Sequence, residues 1–189
     1  MDNITYTTDF EIILKDESEK AEAMGILHTM SSAKYNSLSV YMNIPVIVLG
    51  SVMGLLSSLE MFDKQYILIS VLSIMMSIMK MMDNYFNWTT RAESHRIHSL
   101  SYYKISKMIQ IQLSLDKGFR MVAKDLLNVV ANDLQNLKDS EPLIPPDVIV
   151  SFNLRYKEDE TAKPSITNGL TKVKIHQDIL RHSSNLTQL

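Results

Sequence analysis

Cysteine is absent from this 189-residue chain. Its absence excludes disulfides, thiolate zinc clusters and a thiol nucleophile. Glycine and proline are scarce, with five of each, which counts against turn-rich β architectures. A surplus of positive charge is missing too: 19 Lys+Arg stand against 21 Asp+Glu, for a net charge of -2. Nucleic acid is therefore not an expected partner, because attraction to phosphate needs a basic surface. Catalytic signatures are also lacking, with no glycine-rich phosphate loop, no G-x-S-x-G and no H-E-x-x-H. Neither an enzyme nor a bound cofactor is expected. What the chain has in plenty is methionine, 13 residues, a flexible apolar side chain that fills helix interfaces and membrane spans.

The mean hydropathy of -0.02 hides an uneven distribution. From Tyr35 to Leu59 there is no Asp, Glu, Lys, Arg or His. A short polar break, Glu60 to Lys64, precedes a second uncharged run from Gln65 to Met79, interrupted at Lys80 and extended by Met81 and Met82. About 20 mostly apolar helical residues cross a bilayer core, and a lysine near a span end can snorkel to the interface. The expectation is a membrane hairpin with spans at about 38–59 and 66–82. A buried helical hairpin in a soluble core is the alternative. Lys34 precedes the first span, and Lys80, Arg91, Arg96, Lys104 and Lys107 follow the second, whereas the loop holds only Lys64. This asymmetry predicts a multi-pass integral membrane protein with both termini cytosolic.

The spans carry small-residue patterns. Gly50 and Gly54 form G-x-x-x-G, with Asn43 and Ser57 near the same face. Ser70, Ser73, Ser77 and Lys80 recur at three, four and three residues, one stripe of a helix. Two readings are open. The stripes meet inside one hairpin, where small residues permit close approach, or the serine stripe lines a pore in a homo-oligomer. Pro45 is placed in the opening turn of the first span, where its missing donor costs little.

Outside the spans the pattern is helical throughout. Residues 1–17 are an acid-rich segment, read as solvated. A helix from about Ser18 to Val40 follows, with Met24, Leu27, Ser31, Tyr35 and Leu38 at helical spacing. After the second span no helix breaker occurs before Gly118, so one long helix from Tyr66 to about Leu115 is expected, leaving the membrane near Asn84. Asp116 is a candidate cap for a helix over 119–137, with Phe119, Val122, Leu126, Val129, Val130, Leu134 and Leu137 inward. Pro145 and Pro146 start a short helix, Asp147 to Tyr156, with Val148, Ile149 and Phe152 inward. Residues 157–189 read as a linker and flexible tail. The fold expected is all-α, a two-span domain over 18–156 in which an N-terminal cytosolic helix and a C-terminal helical bundle flank the hairpin.

The densest polar group is Ala92 to His98. His95 and His98 share a helix face, but Glu93 points elsewhere and zinc needs three or four converging ligands. No metal site is expected; packing and salt bridging beneath the membrane are. Several segments, in order, resemble a two-transmembrane family of large nucleocytoplasmic DNA viruses that is similar to the SLATT domain of prokaryotic conflict systems. They are Lys20–Tyr35, Ile44–Gly54, Ala92–Ile105 with its Glu93, His95 and Arg96, Ile109–Leu115, and Pro142–Ile149. The resemblance implies an all-α protein with cytosolic helices around a membrane hairpin. It also implies a membrane-perforating effector activity, in a host or virion membrane and with other viral or membrane-associated proteins as partners. A structural protein tethering a membrane to a protein layer is the alternative function.

Overall fold

The computed structural model describes residues 6–59 and 64–169. Six α-helices follow one another: α1 (Thr8–Ser58), α2 (Gln65–Phe86), α3 (Trp88–Ser114), α4 (Ala123–Ser140), α5 (Pro146–Arg155) and α6 (Ser165–Asn168). A 3-10 turn, Lys117–Phe119, lies between α3 and α4. There is no strand among the described residues, so the chain is all-α as expected. It divides into two compact units, one of residues 29–97 and one of residues 1–28 with 98–189.

Helix α1 is longer than its sequence pattern suggests, 51 residues without interruption. From Thr8 onward the acid-rich segment forms its first turns rather than a separate solvated piece. Leu14 there is 1% exposed, and Glu11 pairs with Arg120 and Lys117. Pro45 correspondingly lies deep inside α1, not in an opening turn, so its missing N–H removes an interior bond. The expected single helix from Tyr66 to Leu115 is in fact two. Asn87 adopts the left-handed conformation (φ 50°, ψ 42°) between α2 and α3, which asparagine tolerates better than most residues.

In the unit of residues 1–28 and 98–189, the core is Leu14, Ala21, Tyr102, Ile105, Ile109, Leu126 and Val130. Close approach of α1 and α3 depends on Gly25: a Cβ there would meet the Tyr103 ring at 3.0 Å. Hydroxyl groups stitch the same seam, with Ser99 Oγ donating to Gly25 O (3.0 Å) and Ser18 Oγ to Ser106 O (3.2 Å). Arg120 closes the end of α3, donating from Nε to Leu115 O at 2.8 Å and from Nη2 to Leu113 O at 3.0 Å.

Helix α4 starts four residues later than its apolar pattern. Asp116 precedes only the 3-10 turn and makes no side-chain cap bond. Phe119 is 80% exposed and Val122 55%, because both precede the helix. The buried face is Ala123, Leu126 and Val130, with Leu134 and Leu137 half-covered; Val129 points out. In α5, Val148 and Phe152 are buried as expected, and Ile149 is half-buried. Part of the expected flexible tail is docked. Ala162 N donates to Glu19 Oε2 (2.7 Å), Asn153 Nδ2 donates to Thr167 O (3.2 Å), and Pro164 is buried. The rest of the expected tail, beyond Gly169, lies outside the described residues.

Two substitutions check the α4 boundary. Leu126→Ala should lower unfolding stability by about 2–5 kcal/mol by opening a cavity. Phe119→Ala should change it by less than about 0.5 kcal/mol. Thermal unfolding followed by circular dichroism separates the two, and equal losses would contradict the exposure of Phe119.

Candidate functional site

Within residues 29–97, the apolar lengths of α1 and α2 are two helices long and apolar enough to cross a membrane. Only 6% of the apolar window of α1 is buried, and none of that of the helical stretch from Gln65. On α1 from residue 42 onward the half-buried residues are Met42, Asn43, Pro45, Val46, Leu49, Gly50, Met53 and Leu56. On α2 they are Gln65, Ile69, Leu72, Ser73, Met76 and Met79. Each set is one stripe at helical spacing. Two contacts give the antiparallel register: a Cβ on Gly50 would meet Met76 Cε at 3.3 Å, and Lys80 Nζ donates to Asn43 Oδ1 at 3.1 Å.

This register brings the glycine and serine stripes together only in part: Gly50 and Ser73 lie on the packing faces and Lys80 bonds Asn43, but the other members stay apart. Gly54 has nothing within 4 Å of an added Cβ. Ser73 is half-buried at the edge of the packing face, while Ser70 and Ser77 are exposed. The three hydroxyls donate to carbonyls of their own helix, to Tyr66 O, Ile69 O and Ser73 O, each at 2.8 Å. Serine polarity is thus met locally. Ser73, Ile74, Ser77, Ile78 and Met81 line a shallow groove of about 270 Å³.

A polar cluster sits at the Lys80 end of this pair. Lys80 Nζ also donates to Asp83 Oδ2 at 3.1 Å. Asn43 Nδ2 donates to Ser39 O (2.9 Å) and Ser39 Oγ (3.1 Å), and Ser39 Oγ shares a hydrogen bond with Thr89 Oγ1 at 2.8 Å. Asp83 is the one buried residue of α2. The signal for it was present in the sequence, as an acid one turn beyond a lysine at the end of an uncharged run.

The Ala92–His98 group resolves into separate roles. Glu93 and Arg96 form an exposed two-pronged ion pair, with both contacts at 2.7 Å. Hydrogen bonding to Arg96 holds the Glu93 carboxyl below its ordinary range. His95 is 1% exposed and stacks on Tyr35 at 5.5 Å, while Arg91 lies over the same tyrosine ring. Among the described residues no three His, Asp or Glu side chains converge on a point where a metal ion could sit.

Sequence reasoning missed a second cluster, within residues 1–28 and 98–189. His28 Nε2 and Glu141 Oε1 are 2.9 Å apart, and Tyr102 OH donates to Glu141 Oε2 at 3.1 Å. The His28 ring stacks on Tyr102 and lies 5.6 Å from that of His98, and His98 Nε2 is 3.3 Å from Ser140 Oγ. Tyr102 and Glu141 line a cleft of about 540 Å³ with Met24, Leu134, Lys138 and Ile144. Sequence separations of 113 and 39 residues left no local pattern to find. Burial pushes the Tyr102 phenol far above its ordinary value, and the Glu141 charge adds to the rise. No family model, curated protein or solved structure matches the chain.

Two predictions come from these clusters. A phenol that keeps its proton longer in the folded state stabilises the fold fully below about pH 10, and that contribution fades as the pH climbs further. Tyr102→Phe should therefore cost about 1–3 kcal/mol at neutral pH, and its gap from wild type should narrow above about pH 10. In the hairpin, Gly50→Leu should lower the melting temperature in detergent by pressing on Met76. Gly54→Leu should leave it unchanged. Equal effects would contradict the register.

Proposed function

We propose that the chain is a non-enzymatic, two-span integral membrane protein that self-associates in the bilayer and perturbs it, as a pore-forming assembly would. The observation that carries this reading is the lack of protein cover over α1 and α2. Ile47, Leu55, Tyr66, Ile74, Met75 and Met81 are 50–67% exposed. A large apolar side chain left in water forgoes about 1.5–3 kcal/mol. A soluble core hairpin would bury these groups, and a bilayer covers them instead.

Two crossings put the flanking segments on one side, and the basic residues Lys34, Arg91 and Arg96 favour the cytosol for it. The resemblance to the SLATT-like two-span family supports the same plan and the perforating activity. A single hairpin cannot enclose a channel, so conduction requires several copies. The serine-lined groove on α2, left open by α1, is the surface that suits another span.

The tethering alternative has its own support. Leu143, Val150 and Leu154 are 93%, 58% and 73% exposed on and beside α5, an apolar strip in a part of the chain with no span. Protein–protein contacts use such patches.

Resistance to alkaline carbonate extraction tests the membrane reading, and release as soluble protein would end it. A Lys64→Cys probe should react with an impermeant thiol reagent from outside intact cells, and an Asn168→Cys probe only after lysis. Purified protein should run as an oligomer in mild detergent and release a dye from liposomes. A monomer without dye release, co-purifying with a stoichiometric partner, would favour the tether.

A further inference from the structure

A buried carboxylate oxygen without a partner is uncommon and calls for an occupant. Asp83 is 8% exposed, and its Oδ1 is the one fully buried side-chain polar atom without a hydrogen-bond partner among the described residues. Lys80 satisfies only Oδ2. The same ammonium bonds Asn43 Oδ1 at 3.1 Å, so two side-chain oxygens from two helices already hold a unit positive charge between them. The Lys80 side chain is 52% exposed, and its long stem can withdraw the ammonium towards the surface.

We propose that Asp83 and Asn43 form a binding site for a monovalent alkali cation, occupied by the Lys80 ammonium in this structure and by a free cation when Lys80 swings out. A metal ion can touch both carboxylate oxygens at once, whereas the ammonium meets one of them. Asn43 Nδ2 donates to Ser39 Oγ, itself bonded to Thr89 Oγ1, which fixes the amide with its Oδ1, an oxygen of the hard type that such ions prefer, on the Lys80 side. A single carboxylate balances one charge. Divalent ions demand more, and Mg²⁺ requires contacts near 2.0–2.1 Å in strict octahedral geometry. The site is internal to residues 29–97 and does not rest on the membrane reading.

The test is thermal unfolding of purified full-length protein in one detergent, in potassium, ammonium or choline chloride at equal ionic strength. Lys80→Met empties the site. Its melting temperature should rise saturably with potassium and with ammonium, by about 2–4 °C or more, and not with choline. Lys80→Met combined with Asp83→Asn should lose this response. Wild type should need a higher potassium concentration than Lys80→Met, because the tethered ammonium competes at a high effective concentration. Equal responses of the single and double variants would overturn the proposal. Should Lys80→Met fail to fold in any of the salts, wild type and Asp83→Asn are compared instead. A potassium-selective rise in wild type that Asp83→Asn lacks supports the site, and its absence overturns it.

Discussion

Two helices carry more apolar surface than the rest of the chain covers, and this constraint governs the structure of residues 29–97. Only one stripe of each apolar helix packs on the other. Backbone polarity in such helices is met internally by the helix itself, and the serine hydroxyls follow the same rule by bonding to carbonyls one turn back. The exceptions gather at one end, where Lys80, Asp83, Asn43, Ser39 and Thr89 form a hydrogen-bonded cluster across α1, α2 and α3. Under the proposed topology that end is where water and lipid headgroups begin.

Residues 1–28 and 98–189 solve a different problem. Their helices are amphipathic and assemble an ordinary core around Tyr102, Ile109 and Leu126. Polar groups enter this core in pairs that satisfy each other. Gly25 and the serines Ser18, Ser99 and Ser106 let α1 and α3 lie close, and Glu141 accepts from Tyr102 and meets His28. Truncating one partner of such a set strands the others in low dielectric. This cluster is therefore a point where one substitution would disturb three helices.

The helix boundaries show how local and tertiary signals compete. Val122 and Phe119 extend the apolar pattern of α4 backwards, yet they lie outside the helix and exposed. Arg120 is spent on the carbonyls at the end of α3 and on Glu11, which holds the connecting turn away from helical geometry. The acid-rich start of α1 reads as solvated because its charges are visible in sequence. Glu17 pairs locally with Lys20, but the partners of Glu11, Arg120 and Lys117, are more than a hundred residues away.

Composition and periodicity alone determined that the chain is all-α, where its two apolar helices fall, and that α5 begins at its prolines. These features follow from side-chain spacing and backbone chemistry within a few residues, which is what a sequence displays. Only the tertiary structure decided the register of α1 on α2, which sets Gly50 rather than Gly54 in contact and leaves Ser70 and Ser77 outside. It also decided the partners of Asp83 and Glu141. A hydrogen bond between Lys80 and Asn43 or between His28 and Glu141 depends on how distant helices dock, and helical period is silent about which neighbour each stripe will meet.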